Sequence, residues 1–458
     1  MKMVTENQEI GGVTKNARNW VNSLINKLVN VVINAVKEAK KLAEDDPRRV
    51  VHSFKVGLAI ILVSLFYYFD DPIYDGFGVS AMWAIITVVV VFEFSVGATL
   101  GKGVNRGIAT LLGGAFGVGA HRLAEFSGDK VEPIFLGLSV FLIAALVTFM
   151  RFHPKLKAKY DYGLVIIILT VSLTCVSGYR DDGVLDIAYI RLSTVLIGGA
   201  VSVFICAFIR PIWAGEDLHN LTAANIEKLG IFLEGFADEY FKSLDRKNQE
   251  TKKTSLAEYK SVLNSKGTEE SLVNFAKWEP RHGKFRYRQP WDQYLKIVAV
   301  TRECAYRIEA LSGYLNSEMQ TPMEIRAKIQ ELCTKMSTEC SCALTELSAA
   351  IKKMTRAAPA DVHILNAKNE CKNLRSLFSK LWPDADLVDI IPAATVASLL
   401  IEIVSCTARI ADSVHELASL SKYKGSNDAM RQSQTGKEKI LPMTSGVEGS
   451  HNVSIMVE

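Results

Sequence analysis

The sequence predicts an all-α protein in two halves, a polytopic membrane half followed by a water-soluble helical half. Three observations carry this. Apolar runs close to the length of about 20 residues that crosses a bilayer core of about 30 Å recur between Val50 and Pro211. After Trp213 charged residues return, and apolar ones recur at helical spacing. At 458 residues, the chain is also longer than one ordinary domain.

Bulk composition says less than distribution. Hydrophobic residues make up 49% and charged residues 22%, values common in globular proteins. A net charge of +4, with no basic block interleaved with aromatics, excludes nucleic acid as a partner. The eight cysteines are scattered, with no Cys-x-x-Cys pair and no metal-ligand spacing. They read as reduced, buried or cytosol-facing thiols. The first apolar run lies behind a long polar leader and is expected to stay in the chain as a membrane helix, not to be removed as a signal peptide.

Six crossings are predicted, at Val50–Phe69, Val79–Ser95, Gly103–Leu123, Pro133–Met150, Gly163–Ser177 and Ala188–Ile209. The domain plan is a leader (1–49), a transmembrane pore domain (50–211), a cytosolic helical domain (212–423) and a disordered tail (424–458). Arg48, Arg49, Lys102, Arg106, Arg151, Lys155, Lys157, Lys159 and Arg210 all fall on one side if the amino terminus is cytosolic. The opposite loops carry Asp70, Asp71, Asp75, Glu125, Asp129, Glu132, Asp181, Asp182 and Asp186. Both termini are therefore predicted to be cytosolic. The leader is of intermediate length; the plasma membrane is favoured, with the vacuolar membrane as the alternative. Within it, Trp20, Leu24, Leu28, Val31, Ala35, Ala39 and Leu42 recur at helical spacing among Lys15, Arg18, Lys27, Lys37, Lys40 and Lys41. Two placements fit this amphipathic helix: on the lipid of the cytosolic leaflet, or against the carboxy-terminal domain.

The third and sixth apolar runs share a pattern. Arg106-Gly-Ile-Ala-Thr-Leu111-Leu-Gly113-Gly114-Ala115 aligns without gaps on Arg191-Leu-Ser-Thr-Val-Leu196-Ile-Gly198-Gly199-Ala200. Three crossings separate the copies, so they run in opposite directions, as in a 3+3 inverted repeat with its ligand path at the repeat interface. The two arginines then approach one path from opposite ends. A charge within a membrane costs about 3 kcal/mol or more, so it normally faces a partner, a cavity or an ion path. Lys102 lies one helical turn before Arg106, and Lys55 lies just inside the first run. Lys55, Lys102, Arg106 and Arg191 are the candidate lining of an anion pore; the other reading is cations that snorkel to the interface. Glu93, the lone carboxylate of the second run, is a candidate charge partner, gate or proton site.

The residues also resemble a family. Asp46-Pro-Arg-Arg49, His52-Ser-Phe-Lys55-Val-Gly57, Ala81-Met-Trp83-Ala and Phe92-Glu93-Phe-Ser-Val-Gly97 resemble the plant aluminium-activated malate transporters. So do Gly101-Lys102-Gly-Val-Asn-Arg106-Gly, Asp161-Tyr162-Gly163, Arg191-Leu-Ser-Thr194 and Trp278-Glu279-Pro280-Arg-His-Gly283. The resemblance spans roughly Asp45 to Lys422. It implies a homodimeric anion channel that passes malate and other small anions and requires no cofactor. The family's pore arginines match Arg106 and Arg191, and a pore lysine matches Lys102. Some members respond to extracellular aluminium through outer carboxylates, matched here by Asp75, Asp182 and Asp186. The loop from Asp70 to Gly76 is one in which family members differ.

From Glu216 to Tyr423 a helical bundle is predicted, with helices at Pro322–Arg356, Asp361–Leu381 and Asp386–Ser421. Phe232, Phe236 and Tyr240 form one core stripe, and Tyr294, Val298, Arg302 and Tyr306 another. The Trp278-Glu279-Pro280 turn is either a gating element or a structural corner. No enzyme motif stands out: His415-Glu416 has no second histidine at metal spacing, and the Gly97–Gly107 stretch lacks the ending of a phosphate loop. A passive anion channel leads. The alternative is a secondary exporter of organic or aromatic acids that uses Glu93 for protons.

Overall fold

The structure, a computed structural model, describes residues 2–68, 82–128, 131–179, 183–241, 257–283, 285, 289–315, 323–381 and 387–423. These residues are almost wholly helical. Contacts divide the chain into two units, residues 1–214 and 215–458.

The first unit holds α1 (Lys2–Asp45), α2 (Arg48–Tyr68), α3 (Met82–Val91), α4 (Val96–Glu125), α5 (Glu132–Met150), α6 (Pro154–Gly178) and α7 (Val184–Phe208). Helix starts follow local chemistry. Ser95 is extended, and its hydroxyl accepts from the Ala98 N–H at 3.3 Å, so α4 begins seven residues earlier than its apolar run. Prolines 133 and 154 sit in the first turns of α5 and α6, where a missing N–H costs nothing. Arg151, just past α5, forks onto both oxygens of Asp161 at 2.8 and 3.2 Å. By length and composition, α5, residues 159–178 of α6 and α7 can each cross a membrane. At 30 residues, α4 is roughly 45 Å long, more than a bilayer core requires.

Packing among α2–α7 has an internal regularity. Among the described residues, every main helix pairing has its counterpart when α2 is exchanged with α5, α3 with α6 and α4 with α7. Glycines show how. A Cβ at Gly113 of α4 would lie 2.7 Å from Thr170 Cβ and 3.1 Å from the Ile167 carbonyl of α6. At Gly198 of α7 it would lie 2.9 Å from Thr87 Cβ and 2.4 Å from the Ala84 carbonyl of α3. Each glycine thus admits a neighbouring backbone next to a threonine, a close approach that small residues permit in membrane helices.

The second unit holds α8 (Ala214–Phe241, begun by the last residue of the first unit), α9 (Lys260–Leu263), α10 (Lys266–Ala276), α11 (Trp291–Gly313), α12 (Met323–Lys353), α13 (Ala358–Leu381) and α14 (Leu387–Leu420). Its core joins Phe232 and Phe236 of α8, Ile297 and Ile308 of α11, Leu344 of α12, Leu374 of α13 and Leu400 of α14. The Phe232, Phe236, Tyr240 stripe is buried, with rings stacked 5.9 and 5.5 Å apart. The α11 stripe differs from expectation. Tyr294 and Val298 are buried, but Tyr306 is 55% exposed. Each step of four residues turns about 40° past a full circle, so three steps carry Tyr306 off the core face. The buried face is Tyr294, Ile297, Val298, Thr301, Cys304, Ala305, Ile308 and Leu311.

Residues 390–420 of α14 also have the length and composition of a membrane helix. They pack against α11, α12 and α13, which cover their apolar side. All eight cysteines are free thiols, and all but Cys342 are buried. Burial pushes the Cys333 and Cys340 thiols up to about 12, so both stay protonated and unreactive at neutral pH. The predicted tail, 424–458, lies outside the described residues.

Candidate functional site

Helix α3 stops at Val91, and the chain crosses to α4 through a break of four residues, 92–95. The Glu93 N–H donates to the Thr99 hydroxyl at 3.0 Å, and the Val96 N–H donates to the Ile212 carbonyl at 3.0 Å. The break faces the Glu93 carboxylate toward the first turns of α4, where it pairs with the Lys102 ammonium. Glu93 is therefore not within a helix, as its apolar surroundings predict, but in the turn between two.

Because α4 starts at Val96, Lys102 and Arg106 share one face, a turn apart. The Lys102 ammonium lies 5.8 Å from the Tyr162 ring centre, and Arg106 Nη1 donates to the Tyr162 hydroxyl at 2.8 Å. Arg106 is 4% exposed, and its Nε has no hydrogen-bond partner. Arg191 on α7 is 8% exposed, with its guanidinium 4.0 Å from the Trp83 ring centre. A stacked, desolvated cation of this kind gains about 2 kcal/mol, less than its dehydration costs. Among the described residues neither arginine has a carboxylate partner.

Helices α4 and α7 run antiparallel. Cβ positions at Gly103, Gly107 and Gly114 would meet Val203, Leu196 and Ala188 at 3.9, 3.7 and 3.7 Å. That register places Arg191 about six residues, roughly 9 Å, further along the α4 axis than Arg106. Two buried guanidinium groups of one sign thus sit at different depths on one helix pair. Each is steadied by an aromatic side chain, Arg106 by α6 and Arg191 by α3. Such a pair is stabilised by an anion, and guanidinium forks match a carboxylate.

The other predicted residues fall elsewhere. Lys55 is fully buried, and its ammonium donates to the Arg210 carbonyl at 2.8 Å. Arg210 adopts a left-handed backbone (φ 42°) just past α7, turning that carbonyl toward α2. Arg210 follows Arg191 by 19 residues, roughly 28 Å of helix, so the structure does not bring Lys55 and Arg191 together. In the second unit, Glu279 accepts from the Gly215 N–H at 3.0 Å, satisfying an otherwise open donor in the first turn of α8. A Cβ at Gly215 would lie 2.5 Å from the Trp291 ring, so this corner needs a glycine. Trp278 is half-buried, and the Pro280 carbonyl bonds the His282 ring at 2.9 Å. Asp186 is exposed in the first turn of α7, while Asp75 and Asp182 lie outside the described residues.

Sequence reasoning did not find the roles of Tyr162 and Trp83. Both stand in motifs that carry the family resemblance, but nothing along the chain ties either ring to an arginine.

Known proteins resemble this chain over most of its length. The aluminium activated malate transporter family profile matches residues 40–383. Aluminum-activated malate transporter 2 of Arabidopsis thaliana is 51% identical over 423 residues, covering 92% of this chain and 84% of the relative. Aluminum-activated malate transporter 1 of Triticum aestivum is 44% identical over 395 residues, covering 84% and 85%. Aluminum-activated malate transporter 10 of Arabidopsis thaliana is 38% identical over 474 residues, covering 95% of each. A transporter family and several membrane-length apolar helices describe a multi-pass membrane protein, not an enzyme. The chain belongs to the aluminium-activated malate transporter family.

Proposed function

We propose that the protein is an anion channel that conducts malate and other small anions through a path lined by Arg106 and Arg191. The observation that carries this reading is the pair of buried guanidinium groups with no carboxylate partner among the described residues. Six crossings arranged as a 3+3 inverted repeat agree with it. The exchange symmetry of the helix pairings, the matching glycine contacts and the antiparallel α4 and α7 all support that arrangement.

With both termini cytosolic, α4 rises from the cytosolic side. An anion first meets Lys102, whose charge is shared with Glu93, then Arg106, then Arg191 about 9 Å further on. Each guanidinium replaces part of the anion's lost hydration, and conduction requires each position to bind weakly enough to release it. A membrane potential adds about 2.3 kcal/mol per charge per 100 mV. An inside-negative cell therefore drives malate outward with no other energy source. A homodimer in the plasma membrane is the assembly this reading takes. Activation by extracellular aluminium through Asp75, Asp182 and Asp186 is the regulatory part of the proposal. Currents with and without added aluminium, in wild type and Asp186→Asn, test it; equal currents in wild type remove it.

The decisive experiment records currents from cells expressing the chain while malate and proton gradients are varied separately. A reversal potential that follows malate and ignores pH is expected. One that moves with the proton gradient, or malate export without current, replaces the channel with a coupled exporter centred on Glu93.

A further inference from the structure

Helix α1 holds a large apolar face that none of the described residues of the first unit covers. Leu28, Val31, Val32 and Val36 are 64, 64, 60 and 61% exposed. At 100° per residue, the apolar side chains from Trp20 to Leu42, Ile33 apart, fill an arc of about 180°. Asn26, Asn30, Asn34, Lys37 and Lys41 fill the opposite arc. Lys27 and Lys40 stand at its two borders, where a long side chain lays its stem along an apolar surface and keeps its ammonium in water.

Two features name what covers this face. The first is position. Helix α1 ends at Asp45 and α2 begins at Arg48, with Arg48 Nε and the Arg48 N–H both on Asp46 Oδ1 at 3.1 Å. On the proposed reading in which α2 is the first crossing, the end of α1 is thus held at the depth where that crossing begins. The second is width. A seam for a second helix is a narrow stripe, whereas half the circumference suits a helix half-sunk in a planar apolar phase.

We propose that α1 lies in the plane of the membrane, its Leu24–Leu42 face in the boundary between headgroups and acyl chains of the leaflet from which α2 starts. Acidic Glu38 and Glu44 offset much of the lysine charge, so apolar burial, more than attraction to anionic lipid, holds it there. The helix then sets the depth and tilt at which α2 enters.

The test uses the full chain in phosphatidylcholine liposomes on a Cys342→Ser background, because the other cysteines are buried. Single cysteines at Val32 and Val36, and at Asn30 and Asn34, carry a nitroxide. The expected result is that labels at 32 and 36 relax with oxygen and are several-fold less accessible to an aqueous nickel chelate. Labels at 30 and 34 should show the reverse. Adding phosphatidylglycerol should leave this alternation in place. Three results would overturn the proposal: labels at 32 and 36 shielded from both agents, which means cover by protein; dipolar broadening between copies, which means a helix pair; or nickel access on both faces, which means a helix in water.

Discussion

In an 18-residue apolar stretch of α5 (132–150) only 11% of residues are buried, against 56% in an apolar stretch of the same length within residues 390–420 of α14, although both segments are long and apolar enough to cross a bilayer. The first exposes Leu138, Phe141 and Phe149 on a unit of membrane-length helices. The second places Val396, Leu400, Ile403 and Ile410 in a protein core. Composition cannot separate the two, because lipid tails and a protein core are equally apolar solvents for leucine.

Buried charge divides the units as sharply. In the second unit, Glu269 is 1% exposed and fully engaged: Arg302 pairs with it, Asn225 donates at 3.1 Å and Ser265 at 2.7 Å. There the buried charges neutralise each other, although the Arg302 Nε, like that of Arg106, has no hydrogen-bond partner. In the first unit, Arg106 and Arg191 are left open. A paired charge holds a fold, whereas the two arginines without a carboxylate are where the proposed anion path runs.

This contrast can be broken in several ways. The largest effect is expected at Gly198. Gly198→Leu places a side chain against the Ala84 carbonyl and should abolish folded protein on fluorescence-detected size exclusion. Gly199→Ala has nothing within 4 Å of its Cβ and should leave the elution peak unchanged.

Next come the charges. Arg302→Ala strands Glu269 and should cost about 3–5 kcal/mol of stability, read as a lower unfolding midpoint. Arg106→Ala and Arg191→Ala should keep the midpoint, or raise it, while current falls roughly a hundredfold with the loss of about 3 kcal/mol of charge stabilisation. Falling midpoints with undiminished current would make the arginines structural.

Leu400→Ala removes a side chain that is 1% exposed and should cost about 2–5 kcal/mol, whereas Leu138→Ala on α5 should cost under about 0.5 kcal/mol in a bilayer. Equal costs would mean that protein covers α5.

The smallest effect concerns pH. Arg409 donates to both oxygens of Glu303 at 2.9 and 2.7 Å and holds its carboxyl below the ordinary value. A depressed carboxyl adds stability above its unfolded pKa of about 4.3 and loses it as pH falls through the folded value. The pair is part-exposed, so the contribution is about 1 kcal/mol at most. Glu303→Gln should flatten the acid limb of the midpoint-against-pH curve by that amount.

The sequence by itself determined the helical class, the six apolar runs and the paired Arg106 and Arg191 motifs. It could do so because these signals are local: run length, loop charge, and a repeat that can be aligned by eye. Helix starts were less legible, since α4 begins at a serine cap within its apolar surroundings and α6 begins nine residues before its apolar run. Only the tertiary structure decided what each buried charge touches. Tyr162 is 56 residues from Arg106, Trp83 is 108 from Arg191, and the Arg210 carbonyl is 155 from Lys55. Periodicity along a helix reports which face is apolar. It does not report which distant helix faces it, and that pairing is what leaves two arginines without a carboxylate, gives Lys55 a carbonyl and gives Arg302 a carboxylate.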